Sequence, residues 1–176
     1  APTGLIWRLE GIDIPNPNHF STEGANGGPI SMLSNNVLAS SDFFTGAFPA
    51  QYSNGLSGAF DLRMRNGSTE RWESTFQVGF NGMELLTEGP FGKESDASYL
   101  ISYRYSTLAL FERVGLSFGD LQGVPYFQDL SFKINVPTEK AGTFSVFALG
   151  GLSRIDILES ELEADVFQEE EALGYE

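Results

Sequence analysis

The sequence predicts a mostly β protein: a small α/β unit of short pieces over residues 1–68, antiparallel strands over 69–157, and an acidic tail over 158–176. Three observations carry this. First, Trp72, Phe76, Val78 and Phe80 alternate with Glu73, Thr75, Gln77 and Gly79, and a period of two means a strand with one oily and one polar face. Second, the pattern recurs. Tyr99, Ile101, Tyr103 and Tyr105 oppose Ser98, Ser102, Arg104 and Ser106; Leu130, Phe132, Ile134 and Val136 oppose Asp129, Ser131, Lys133 and Asn135; Phe144, Val146 and Ala148 form a weaker case. Third, turn signals fall between these runs, with Asn81-Gly82 the strongest. A sheet with one apolar face requires an apolar partner: a second sheet, a helical layer, or lipid.

Composition narrows the classes. The chain of 176 residues suits one ordinary domain or two small ones. Only 19% of residues are charged and 13% are aromatic. The net charge of -14 makes nucleic acid a poor partner. With no cysteine there is neither a disulfide framework nor a thiolate metal site. No apolar run approaches the roughly 18 residues of a membrane helix, which leaves open a membrane barrel, whose strands need about 10 alternating residues. The opening Ala1-Pro2-Thr3-Gly4 enters a strand-like run directly, and the expectation is that the chain begins inside a larger protein.

In order, Leu5 to Ile14 reads as one buried strand, stopped by Pro15-Asn16-Pro17-Asn18. A Gly-rich loop follows from His19 to Pro29. Ser31 is placed to cap a short helix over Met32 to Ala39. Phe43 to Phe48 is a short strand, Pro49 to Gly55 a turn, and Ser57 to Arg65 alternates with Phe60, Leu62 and Met64 on one face. Asn66-Gly67 ends that strand.

Beyond Glu70 the strands become regular. Met83 to Glu88 returns from the first hairpin, a short turn spans Gly89 to Ser95, and Ala97 to Ser106 leads into a long connection over 107–124. A short turn at Pro137 to Gly142 precedes the last strand, from Thr143 to about Ile157. Long connections on one rim and short turns on the other are the habit of membrane barrels; the first hairpin, tight on the long-loop side, is the exception. In the tail, Leu158, Leu162 and Val166 are spaced for a short amphipathic helix, with a solvated loop as the alternative.

Little of this is catalytic chemistry. His19 is the only histidine, so a His/carboxylate metal cluster is disfavoured. Gly24-Ala25-Asn26-Gly27-Gly28 lacks the dinucleotide spacing. Asn66-Gly67-Ser68 fits a glycosylation sequon but is first a turn. Glu84 and Glu88 share a strand face about 13 Å apart by strand rise, too far for a glycosidase pair. No G-x-S-x-G element occurs. The expectation is a protein that is not an enzyme and holds no cofactor or metal.

Several segments, in order, carry a family likeness. Trp7-Arg8-Leu9-Glu10-Gly11-Ile12-Asp13-Ile14-Pro15 resembles the "(D/E)G(I/V)-x-(I/V)-P" turn of a TonB-dependent receptor plug. Ser41 to Leu62, with Gly46-Ala47-Phe48-Pro49-Ala50-Gln51-Tyr52 inside it, resembles the plug's closing segment. Glu88-Gly89-Pro90-Phe91 followed by Ser98 to Ser106 resembles that family's first inner turn and third barrel strand. The Pro-Asn-Pro-Asn-His-Phe run is similar to receptors of the Bacteroidota type. Two features depart from the pattern: the plug's usual Arg-bearing "R-I-E-V-x-R-G-P" reads here as Ser41-Asp42-Phe43-Phe44-Thr45-Gly46-Ala47, and Tyr52 lacks a following Gly.

The resemblance implies an outer-membrane barrel of about 22 strands filled by an N-terminal plug. Residues 1–68 would be the end of the plug and 69–157 the first strands of a transmembrane β-barrel that is incomplete in this chain. Implied partners are the TonB energy-transducing system through a missing N-terminal part, the remainder of the barrel, outer-membrane lipid and an unknown small ligand imported to the periplasm. The loop after the Pro turn would face that ligand. Asn16, Asn18, His19 and Phe20 are therefore candidate contacts, although Asn16 and Asn18 also suit simple turn chemistry. Arg104 is a contact for ligand or an anchor for the plug, with anchoring preferred. Arg63 and Arg65 are expected to pair with wall carboxylates such as Glu73. The alternative is a soluble β-sandwich that binds a ligand or carbohydrate, with the oily faces packed together.

Overall fold

A computed structural model describes residues 4–21, 27–46, 48–52, 55–79, 82–93, 95–106 and 124–156. The protein is mostly β, with largely antiparallel sheets. In the N-terminal unit, β1 (Leu5–Leu9), β2 (Ile12–Ile14), β5 (Asp42–Phe44) and β6 (Gly58–Leu62) form a sheet of order β2-β1-β6-β5. The β1–β6 pair is parallel, with Leu5 against Gly58 and Leu9 against Leu62. A small ribbon joins β3 (Asn18–His19) to β4 (Ile30–Ser31).

Two expectations for this unit are corrected. Leu5 to Ile14 is not one strand. It folds back at Glu10-Gly11, where Leu9 pairs with Ile12 and both turn residues have positive φ, 52° and 83°. That is the geometry of a two-residue type I′ hairpin, whose twist matches the flanking strands. The expected helix over 32–39 is a single 3-10 turn, Asn35–Val37, capped by Ser34 rather than Ser31. The Ser34 hydroxyl accepts from Asn36 N at 3.2 Å, and Leu38 leaves the turn extended to bridge Met64. No α-helix occurs among the described residues, so the α part of the α/β reading fails there.

The second sheet is a meander in which every strand pairs antiparallel with its neighbour in sequence: β7 (Glu73–Val78), β8 (Met83–Pro90), β9 (Ser98–Tyr105), β10 (Val124–Thr138) and β11 (Gly142–Asp156). The alternation read from the sequence fixes its two faces. Phe76, Leu85, Ile101, Tyr103, Leu130, Val146 and Leu152 lie exposed on one, with Phe76 65% and Leu152 68% accessible. Glu84, Glu88, Ser98, Ser102, Asp129, Ser131 and Lys133 are buried on the other. Gly79 N–H donates to Gly82 O at 2.9 Å and closes the first hairpin. Asn81, the connection over 107–123 and the tail lie outside the described residues.

The core sits between the N-terminal unit and the polar face of the long sheet. Leu9, Leu33, Val37, Leu62 and Met64 pack with Leu86 and Leu100, flanked by Phe147 and Leu149. Each such side chain removed from water contributes about 1.5–3 kcal/mol. Gly67 shows how close the two layers come, because a Cβ there would lie 1.9 Å from the Tyr99 carbonyl oxygen. Trp72 closes on the long sheet in the same way, its indole covering Gly89 and donating Nε1–H to Pro90 O at 2.9 Å.

Candidate functional site: a buried polar seam

The inward face of β8, β9 and β10 carries the carboxylates Glu84, Glu88 and Asp129 and the ammonium Lys133, all under 10% exposed. Desolvated charges of this kind are costly unless paired. Each meets a group on the N-terminal unit.

At one end, the Arg65 guanidinium grips Glu88 through two parallel bonds of 2.6 Å, and Ser68 N–H donates to the same carboxylate at 2.9 Å. Arg65 Nε–H also donates to Asn36 O at 2.6 Å. The hydrogen bonds with Glu88 raise the Arg65 pKa further above its already high value. The expected partner Glu73 is corrected: it bonds Arg71, next to its own strand. Glu73 stands directly across from Glu88 in the β7–β8 register, but Glu88 is the buried one of the two. Arg63 is exposed, and its N–H donates to Ser41 Oγ at 3.2 Å.

Next along the wall, Glu84 accepts from Ser102 Oγ at 2.7 Å, Ser34 Oγ at 2.9 Å and Asn36 Nδ2 at 2.8 Å. Lys133 Nζ donates to Glu10 Oε2 at 3.0 Å and Met64 O at 2.8 Å, while Glu10 Oε1 accepts from Met64 N–H at 2.6 Å. Glu10 therefore leaves its strained turn position to bind both layers.

The fourth contact holds two of the candidate ligand residues. His19 Nε2 bonds Asp129 Oδ1, and Arg104 donates to Asp129 Oδ2 at 2.5 Å and to the Ser31 carbonyl. The His19 ring, 4% exposed, lies beside Phe20 and Phe127. Gly151 makes room for it, since a Cβ there would lie 2.7 Å from Asp129 Oδ1 and 2.8 Å from His19 Cε1. Asn18 Nδ2 donates to Asn16 Oδ1 at 2.5 Å, and Asn16 Nδ2 to Gly27 O at 3.3 Å, so these two close the loop in the manner of turn asparagines. Phe20 has φ 55°, which is rare for a bulky residue. An open cavity of about 590 Å³ adjoins this cluster, with Gln77, Glu84, Arg104 and Phe127 in its wall.

The sequence reading missed Asp129, Glu84, Glu88 and Lys133 as contact groups. Their signal was a charge on the polar side of each alternating strand, but their partners lie up to 123 residues away. Among the described residues, no group of three or more His, Cys, Asp or Glu is placed to hold a metal. No family model matches the chain, and neither the curated proteins nor the solved structures give a match.

Proposed function

We propose that this chain is a segment of a TonB-dependent outer-membrane receptor, a transporter rather than an enzyme. Residues 1–68 are the end of its plug, and the long sheet is the first part of its barrel wall. The observation that carries the reading is the inverted polarity of that sheet. Its charged and hydroxyl face is buried against the N-terminal unit, and its aliphatic and aromatic face is left open. Water-soluble sheets do the reverse, whereas a lipid-bathed wall around a polar filling needs this arrangement.

Other features agree. Strands β10 and β11 have 15 residues each, about 50 Å at the usual rise, enough to cross a tilted membrane path. Outward aromatics gather toward one end, where the Phe91 and Tyr99 rings lie 5.7 Å apart, as at a headgroup layer. The four-stranded sheet lies on the polar side, so it does not supply the cover that a sandwich would need on the oily side. Arg104 and His19 serve as fastenings of the plug, and Asn16, Asn18 and Phe20 remain the ligand-side candidates. The ligand is a nutrient taken up from outside.

This chain has no cysteine of its own, and any cysteine elsewhere in the protein is replaced by serine for the test. Single cysteines at Phe76, Ile101, Phe132 and Val146 in the full-length protein, in membranes, should react with a lipid-soluble maleimide and resist a charged one. Recovery of the protein in the soluble fraction, with those cysteines open to the charged reagent, would refute the assignment.

A further inference from the structure

The open cavity of about 590 Å³ beside the fourth contact holds two polar groups that the seam leaves unfinished. Its wall includes Gln77, Val78, Met83, Glu84, Arg104 and Phe127. Glu84 is the first of the two groups. It is 7% exposed, and its oxygens accept from Ser102 Oγ, Ser34 Oγ and Asn36 Nδ2. Ser34 Oγ itself accepts from Asn36 N–H, so its one hydrogen goes to Glu84. A carboxyl group that only accepts is in its ionised form. All three donors are neutral, and among the described residues no cation forms an ion pair with Glu84. Glu10, Glu88 and Asp129 differ in this, since they meet Lys133, Arg65 and Arg104.

Arg104 is the second group. Register sets it between the two carboxylates, opposite Glu84 on β8 and opposite Asp129 on β10. Its Nη2 pairs with Asp129 Oδ2 at 2.5 Å, while its Nε–H is buried with no acceptor. Buried donors are nearly always satisfied in native structures. A buried anion without a counter-ion calls for a cation, and an orphan donor calls for an oxygen. The two positions are directly opposed on adjacent strands, so both groups of the ligand must be close neighbours. Charge narrows the choice. With the His19 imidazole neutral, Glu84 and Asp129 against one guanidinium leave a single negative charge over. A ligand of charge +1 with a neutral oxygen balances it, whereas a zwitterion would add a carboxylate beside two others. An ammonium next to an amide carbonyl is the amino terminus of a peptide. The volume falls in the usual range of small-ligand sites, and Val78, Met83 and Phe127 give apolar surface to a first side chain. Gln77 Oε1 accepts from Asn36 Nδ2 at 2.9 Å, which leaves its amide hydrogens for a second carbonyl.

We propose that this cavity binds the amino terminus of a short peptide whose first residue is apolar. The ammonium docks at Glu84, the first carbonyl oxygen accepts from Arg104 Nε–H, and Gln77 donates to the next carbonyl. Such a site rests on the receptor reading above and gives it a ligand class.

The test is calorimetric titration of the full-length protein, purified from membranes in detergent, with leucylglycinamide, N-acetyl-leucylglycinamide and free leucine as probes. Leucylglycinamide should bind. Acetylation removes the cation and keeps both carbonyls, and should weaken binding about ten-fold or more. Free leucine, which brings its own carboxylate, should bind about five-fold more weakly than leucylglycinamide. Glu84→Gln should weaken leucylglycinamide about ten-fold or more and leave the acetylated probe unchanged. Gel migration before and after heating reports folding of the variant, and the acetylated probe questions the same contact in the unaltered protein. Equal affinity for the acetylated probe, or no binding of leucylglycinamide at millimolar concentration, in folded protein from membranes would overturn the site and leave the receptor reading intact. Leucine bound as tightly as leucylglycinamide would overturn the peptide assignment in favour of a free amino acid. Absence of the protein from membranes would instead overturn the receptor reading itself.

Discussion

Removing the Glu88 carboxylate should loosen the N-terminal unit from the long sheet by a measurable amount. Glu88 receives two 2.6 Å bonds from Arg65 and one of 2.9 Å from Ser68 N–H. Its side chain is 9% exposed, against 34% for Arg65. Breaking a fully buried pair costs about 3–5 kcal/mol. Arg65, a third exposed, recovers some hydration when its partner goes, so the lower end applies. Glu88→Leu should therefore cost about 3 kcal/mol. The coupling between Glu88→Leu and Arg65→Met in a double-mutant cycle should be about 2 kcal/mol, close to a thirty-fold change in the docking equilibrium. The assay is urea titration of the full-length protein in detergent, followed by the fluorescence of Trp7. Trp7 stacks on Phe60 with 4.3 Å between centroids and packs against the shared core. Trp72, the other tryptophan of this chain, is replaced by Phe in all variants, as is any tryptophan elsewhere in the protein. A coupling below about 0.5 kcal/mol, the scatter expected of independent sites, would show that the seam is held by apolar packing and not by its charges.

Three further outcomes follow from the same geometry. Gly67→Ala should lower the melting temperature sharply, by more than about 2 kcal/mol of stability, because the added methyl meets the Tyr99 carbonyl oxygen; calorimetry that shows no shift would mean the two layers sit farther apart. The Tyr52 phenol donates to Asp61 Oδ2 at 2.7 Å, and that bond, helped by burial, raises its pKa above the ordinary 10.0. A raised folded pKa means that this contribution is full below about pH 10 and fades as pH rises through the folded value, so Tyr52→Phe should flatten the alkaline fall in stability. Phe132→Arg should cost about 2–4 kcal/mol if that position lies near the middle of a bilayer, read as lost heat-resistant folded band on a gel.

The faces of the long sheet were legible in the sequence, because a period of two assigns every residue of a strand once one is assigned. Ile101 and Ser102, or Phe132 and Lys133, could not have exchanged sides. The N-terminal unit was much less legible. Leu5 to Ile14 looked continuous because Glu10 is not a turn former, and long-range bonds with Leu62, Met64 and Lys133 hold it in one. The run after Ser31 looked helical by its cap, but Val37 and Leu38 are taken by the sheet core and by Met64, which leaves a single turn. For the site, the charges were visible and their partners were not. Asp129 reads as an ordinary polar-face acid until register places Arg104 opposite it and the fold brings His19 across 110 residues. Phe147 and Leu149, apolar on the polar side of β11, had no meaning before the N-terminal unit was there to receive them.

The hairpin at Glu10-Gly11 shows how a local rule and a distant need can compete for one residue. Asparagine or glycine would relax that backbone, which with glutamate carries about 1 kcal/mol of strain, and a designer guided by turn statistics would install one. The swap would soothe the corner and strand the ammonium of Lys133 on a greasy ledge without its counter-ion, so the two layers would part more easily although each looked sounder alone.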